Sequence, residues 1–190
     1  MAKYSVRGMS RKEIRDYANK IRKIFKIDFL NFIDMPKLLD LISIAFVKLN
    51  LNFNYEIREE NDQIFEDYEE AFTCMKTGTI YFKKSVIENA CRHKYNRGAF
   101  TIAHELGHFF LHYFQVDVKL SRISEDESVP IYKDPEWQAN TFASELLMPF
   151  EQCINLDEQM IRKKYHVSRQ AAKTRKNMIN KEIQNENKKS

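Results

Sequence analysis

Hydrophobic positions in the N-terminal part of the chain recur at helical spacing. Ile14, Tyr17, Ala18, Ile21, Ile24 and Phe25 follow the segment SRKE, in which Ser10 and Glu13 have the spacing of a capping box, so a helix is expected from about residue 11 to 25. Asp34 ahead of Met35 and Pro36 marks a second start, continued by Leu38, Leu39, Leu41, Ile42, Ala45 and Phe46. The period then changes. Leu51, Phe53, Tyr55 and Ile57 alternate with polar residues, which predicts a strand with one buried face. AFTCMKTGTIYF reads as a hairpin turning at Lys76 to Thr79, with Gly78 supplying a positive φ and Thr79 to Phe82 as a short second strand. Residues 85–111 are helical in pattern with a break at 96–98, and a polar loop over 117–135 leads to a helix from Pro135 to just before Pro149. Helices are expected around 156–165 and from 168 to about 183, and NENKKS at the end reads as a disordered tail. Residues 1–150 thus form the main domain, 151–184 a helical C-terminal region and 185–190 the tail.

Composition narrows the class. A chain of 190 residues with 43% hydrophobic content can bury one sizeable core. With 31% charged residues, a mean hydropathy of −0.57 and no apolar run near the roughly 20 residues that span a bilayer, a helical membrane protein is excluded. The opening MAKYSVRGMSRKEIRDY lacks the apolar segment of a signal peptide, which makes the cytoplasm the expected location. Cys74, Cys91 and Cys153 are far apart and odd in number, so reduced thiols are expected. The net charge of +4 is uneven: from Arg162 onward ten Lys and Arg face two Glu, a net +8, which leaves −4 on the rest. Such a basic end either contacts an acidic partner or is a solvated helix.

The chemistry concentrates in AFTIAHELGHFFLH, residues 99–112. His104, Glu105 and His108 form HExxH. Residues four apart on a helix stand one above the other, so two imidazoles can face one ion, while Glu105, one position on, can take a proton from an attacking water. Zinc suits such a ligand set. Buried beside Ile102, Ala103, Leu106, Phe109, Phe110 and Leu111, uncoordinated imidazoles and a carboxylate would cost several kcal/mol. His112 lies about 12 Å along the axis from His104 and cannot share an ion with it; it is expected to face the C-terminal dipole of the helix.

A third ligand is sought in PEWQANTFASELLMP. Glu136, Ala139, Asn140, Ala143 and Leu147 fall on one stripe at about 100° per residue, with Glu145 on the opposite face. Asn140 could hydrogen-bond a ligand histidine. Periodicity leaves two readings of Glu136 open, a metal ligand or an acidic residue answering the dipole of a helix start.

Together, GTIYF, FTIAHELGHFFLH and EWQANTFASELLMP resemble the ImmA/IrrE family of zinc metallopeptidases. The resemblance implies a compact zincin-like α+β domain with a small antiparallel sheet and a helical, basic C-terminal region. It also implies His104, His108 and Glu136 as zinc ligands, Glu105 as general base, and a helix-turn-helix repressor as protein substrate. Thr79, Ile80, Tyr81 and Phe82 are expected to form an edge strand that holds the substrate by β-augmentation. The competing readings are a protein that sequesters a regulator without cutting it and a DNA-binding one. For the latter, KKYHVSRQAAKTRKNM has the outline of a helix-turn-helix carrying Arg169, Lys173, Arg175 and Lys176.

Overall fold

A computed structural model describes residues 4–29, 31–92, 97–113, 121–122 and 129–188. The fold is α+β, with eight α-helices and five strands among the described residues. Helix α1 (Arg11–Ile24) starts with the capping box, Ser10 Oγ accepting the Glu13 N–H at 3.2 Å and Glu13 Oε2 accepting the Ser10 N–H at 2.7 Å. Helix α2 (Met35–Lys48) starts at Asp34 with Pro36 in its first turn. Helices α3 (Lys84–Cys91) and α4 (Arg97–His112) follow the sheet, and the start of the expected break between them, Asn96, lies outside the described residues. The expected polar loop over 117–135 also lies largely outside them. Its Ser121–Arg122 (β5) pairs antiparallel with Tyr4–Ser5 (β1), and Ile131–Lys133 forms a 3-10 turn. No helix among the described residues is long and apolar enough to cross a membrane.

The other three strands form one sheet in the order β2 (Asn54–Arg58), β4 (Thr79–Lys83), β3 (Ala71–Cys74). The hairpin is present: β3 and β4 are antiparallel, and the Gly78 N–H donates to the Cys74 carbonyl at 2.9 Å. Gly78 has φ +70°, a conformation that favours glycine, and a Cβ there would stand 2.7 Å from the tip of the Tyr113 ring, which would have to shift. The sheet is nevertheless mixed rather than antiparallel, because β2 runs parallel to β4. Residues 59–70 carry the chain past the sheet to its far side, and the hairpin's second arm then returns between β2 and β3.

This topology overturns the edge-strand expectation. Thr79, Ile80, Tyr81 and Phe82 each have a partner on both sides, so their strand is central and presents no free backbone edge. Thr79, Ile80 and Phe82 are buried, the mark of an interior strand covered on both faces. The outer strand that lies against α4 is β3, which pairs only with β4 among the described residues. On the other edge, β2 keeps only part of its predicted buried face: Phe53, just before it, is 7% exposed, but Ile57 is 48% exposed.

Helix α5 (Pro135–Leu147) lies inside the molecule, packed against α4 and α1. It is buried on nearly all sides, through Ala139, Phe142, Ala143 and Leu146 and through Gln138, Thr141 and Glu145. Its carbonyl end, where four C=O groups lack helical partners, is closed by the buried Arg22, whose guanidinium donates to the Leu146 carbonyl at 2.7 Å and the Leu147 carbonyl at 3.4 Å. A short α6 (Phe150–Cys153), absent from the sequence reading, leads to α7 (Glu158–Tyr165) and α8 (Arg169–Asn187). Helix α8 takes in 185–187, half of the expected tail. Ile161, Tyr165, Val167, Ala172 and Ile179 join the same core as α1, α4 and α5.

Glu145 joins α1, α5 and α8. It is fully buried, accepts from Arg175 Nη1 at 2.9 Å and from Arg15 Nη2 at 3.3 Å, and Arg15 also reaches Glu182 at 2.8 Å. Two of the four cations that suggested groove binding thus face inward: Arg175 is 1% exposed against Glu145, and Lys176 Nζ donates to the Ile154 carbonyl at 2.8 Å. Removing one partner of a buried ion pair strands the other's charge, so Glu145→Ala is expected to lower the unfolding free energy by about 3 kcal/mol in urea titrations. Glu182→Ala, at the wetter end, should cost under about 1 kcal/mol.

Candidate metal centre

Helices α4 and α5 cross at Gly107. A Cβ there would stand 3.0 Å from the Ala139 Cα and 3.1 Å from its carbonyl oxygen. The glycine and the small Ala139 let the two backbones approach closely, and that approach brings the carboxylate of α5 to the histidines of α4. At the start of α5, Asp134 Oδ1 accepts the N–H groups of Glu136 and Trp137 at 2.9 and 3.3 Å, and Pro135 occupies the first turn. The cap sets the direction in which Glu136 leaves the helix.

Three donor atoms converge. His104 Nε2 and His108 Nε2 are 3.0 Å apart, and the Glu136 carboxylate lies 3.3 Å from the first and 3.2 Å from the second. All lie within 4.8 Å of one another. A tetrahedral zinc ion with bonds of about 2.0–2.1 Å to nitrogen and oxygen separates its ligand atoms by about 3.3 Å, so the set fits the ion. Hydrogen bonds from the two histidines hold the Glu136 carboxyl far below the usual carboxylate range. Burial pulls the His104 imidazole down, but its bond to Glu136 and the charges of Glu105 and Glu136 carry it above its ordinary value. Glu145, which helical phase sets opposite Glu136, is in the ion-pair network and remote from this cluster.

The other ring nitrogens are engaged as well. His104 Nδ1 lies 3.2 Å from Asn140 Oδ1. His108 Nδ1 lies 3.3 Å from His112 Nδ1, and His112 Nε2 lies 3.0 Å from Gln138 Oε1. The Gln138 amide nitrogen donates to two main-chain carbonyls, Arg7 and Tyr132, both at 2.8 Å. Carbonyls only accept, so they orient the amide and turn Oε1 toward His112. Neutral His112 then donates from Nε2 and accepts at Nδ1, and His108 must donate from Nδ1, which leaves its Nε2 lone pair toward the cluster.

This corrects the reading of His112. It is 7% exposed, and burial is the main cause that pushes its pKa down to about 4, so it is neutral at physiological pH and does not serve as a cation at the helix end. The 104, 108, 112 spacing already put the three rings on one stripe, and the missed consequence was contact with the far side of His108. Gln138 carried no signal, since its partners come from Arg7 and Tyr132. Thr73 was also missed: its hydroxyl donates to Glu105 Oε2 at 2.7 Å and lies 3.1 Å from the Glu105 carbonyl oxygen. Glu105 is buried at the side of the cluster facing β3.

Residues 56–177 match the family described as the IrrE N-terminal-like domain, Peptidase_M78. The chain belongs to that family. Among curated proteins none is significantly similar to this family member. A solved structure of a Mycobacterium tuberculosis transcriptional regulator is similar at 13% identity with a TM-score of 0.47, over 86% of this chain and 51% of that one, so the chain spans about half of its length.

His112→Ala and Gln138→Ala remove the constraint on the His108 ring, and each is expected to weaken zinc binding about 10- to 100-fold in chelator competition. Asn140→Ala should do the same through His104, whereas Glu105→Gln should leave zinc affinity within about threefold because that side chain is outside the donor set.

Proposed function

We propose that the chain is a zinc-dependent endopeptidase that cuts an extended segment of a regulatory protein, a helix-turn-helix repressor by the family resemblance. The observation that carries this reading is the convergence of His104, His108 and Glu136, with Glu105 beside the three donors and not among them. Three protein ligands from two helices leave a fourth position for substrate, as catalytic rather than structural zinc sites do. A zinc ion there would supply Lewis acidity toward a peptide carbonyl and an attacking water.

The chain's own residues supply the rest. The Thr73 hydroxyl holds Glu105 Oε2, which fixes the carboxylate and leaves Oε1 to take the proton of the water that attacks the carbonyl carbon. As the C–N bond breaks, Glu105 returns that proton to the departing amine. The substrate backbone is held by β3, the outer strand beside Glu105, in place of the interior β4. A peptide must be extended to pair there, so locally unfolded segments are cut in preference to compact ones.

Glu105→Gln is expected to retain zinc and bind the regulator while lowering its cleavage at least about 100-fold, as for loss of a general base; mass spectrometry of the co-incubated proteins reads this. If that variant cuts normally, Glu105 is not the base. The Lys83 N–H donates to the Glu70 carbonyl at 3.0 Å, so the N–H of Ala71, one residue on, points away from β4, and Ala71→Pro deletes that outward N–H while keeping the Thr73 hydroxyl on Glu105. That variant should fold, hold zinc and cut at least about tenfold more slowly. Normal cleavage by the folded, zinc-loaded Ala71→Pro protein would assign substrate holding elsewhere.

A further inference from the structure

An apolar groove of about 400 Å³ opens beside the metal centre. Its floor includes Phe100 of α4, one wall is Ser144 of α5, and the other is Ala171, Thr174 and Met178, one face of α8. Asn140 stands at the junction: its amide oxygen meets His104 Nδ1 at 3.2 Å, and its side chain also borders the groove. The groove is lined almost wholly by carbon, in a cleft whose remaining known chemistry is ionic.

We infer that this groove is the pocket that selects the substrate, receiving one large apolar side chain, of the Leu, Met or Phe class, from a residue next to or one removed from the scissile bond, and that α8 is its selecting wall. This rests on the peptidase reading. Asn140, bonded to His104, lines the groove, and Arg97 and Phe100 are shared with the shallow hollow that His104 itself lines, so a peptide crossing the metal centre has a side chain within reach of it. Ser144 is one turn of α5 beyond Asn140, roughly 6 Å, which matches the reach of a single long side chain.

The wall is firm. Arg175, beside Thr174, is locked to the buried Glu145, and Arg11 Nη1 lies 3.5 Å from the Met178 sulfur, so α8 is tied to α5 and α1 on both sides of the groove. A fixed wall discriminates by shape, because a polar or short side chain would leave the carbon lining without a partner. The C-terminal hairpin that resembles a DNA-reading element in sequence thereby acquires a different role.

Two measurements test this. Zinc-loaded wild-type protein is incubated with a proteome-derived peptide library, and the new termini are read by mass spectrometry. Leu, Met and Phe should exceed Ser and Gly by about tenfold or more at one position near the cut. Ala171→Trp fills the groove from α8 and should reduce that preference to within about twofold, with zinc content unchanged. Thr174→Trp, at an exposed position, serves the same purpose should Ala171→Trp fail to fold. Independently of cleavage, the zinc-loaded Glu105→Gln protein is titrated with acetyl-leucinamide and acetyl-serinamide. The leucine compound alone should shift the backbone amide resonances of Phe100, Ala171 and Thr174, and Ala171→Trp should abolish those shifts. Groove binding of the leucine compound without cleavage of any peptide by the wild type would overturn the peptidase reading and leave the pocket standing. Cleavage without an apolar preference, or equal shifts from both compounds, would overturn the pocket and leave the peptidase.

Discussion

The close crossing of α4 and α5 at Gly107 and Ala139 is the constraint on which the site depends. A Cβ at 107 would press on the Ala139 backbone, and any separation of the helices would carry Glu136 away from His104 and His108, whose donor atoms are held to 3.0–3.3 Å. Ligands from two elements keep their geometry only as well as the elements keep theirs, which is why the surrounding structure is devoted to fixing α5. Asp134 closes its start, Arg22 its end, and Glu145 its far side.

The most deeply buried polar side chains are arranged in chains. Glu145 is flanked by two arginines, and Gln138 sits between His112 and two carbonyls. Each chain ends on main chain or on an opposite charge, which offsets most of its desolvation cost, although the Nε atoms of Arg15 and Arg175 make no hydrogen bond. One such chain runs from the N-terminal segment through Gln138 and His112 to a nitrogen of His108. Residues far apart in sequence thereby decide which nitrogen faces the three-donor cluster.

The C-terminal helices show why surface-charge arguments mislead. Arg169, Lys173, Arg175 and Lys176 look alike in sequence, yet Arg175 is in the core and Lys176 reaches the Ile154 carbonyl at the end of α6. A long cationic side chain with an apolar stem is as useful for answering a buried carboxylate as for meeting a phosphate, and only the position of Glu145 decides between them.

What the sequence by itself determined is what local physics carries: the capped helices α1, α2 and α5, the hairpin at Gly78, and two histidines one turn apart beside a glutamate. Helical phase also separated Glu136 from Glu145. Hydrogen bonding, capping and side-chain direction within an element depend on residues three or four apart, so they leave a readable pattern. Tertiary structure alone decided that β4 lies between β2 and β3, that Thr73 holds Glu105, that Gln138 orients His112, and that Arg175 turns inward. Each depends on which distant segment arrives beside a given residue. A strand's own residues do not record whether its second edge is covered, because an N–H pairs as well with a neighbouring strand as with a substrate.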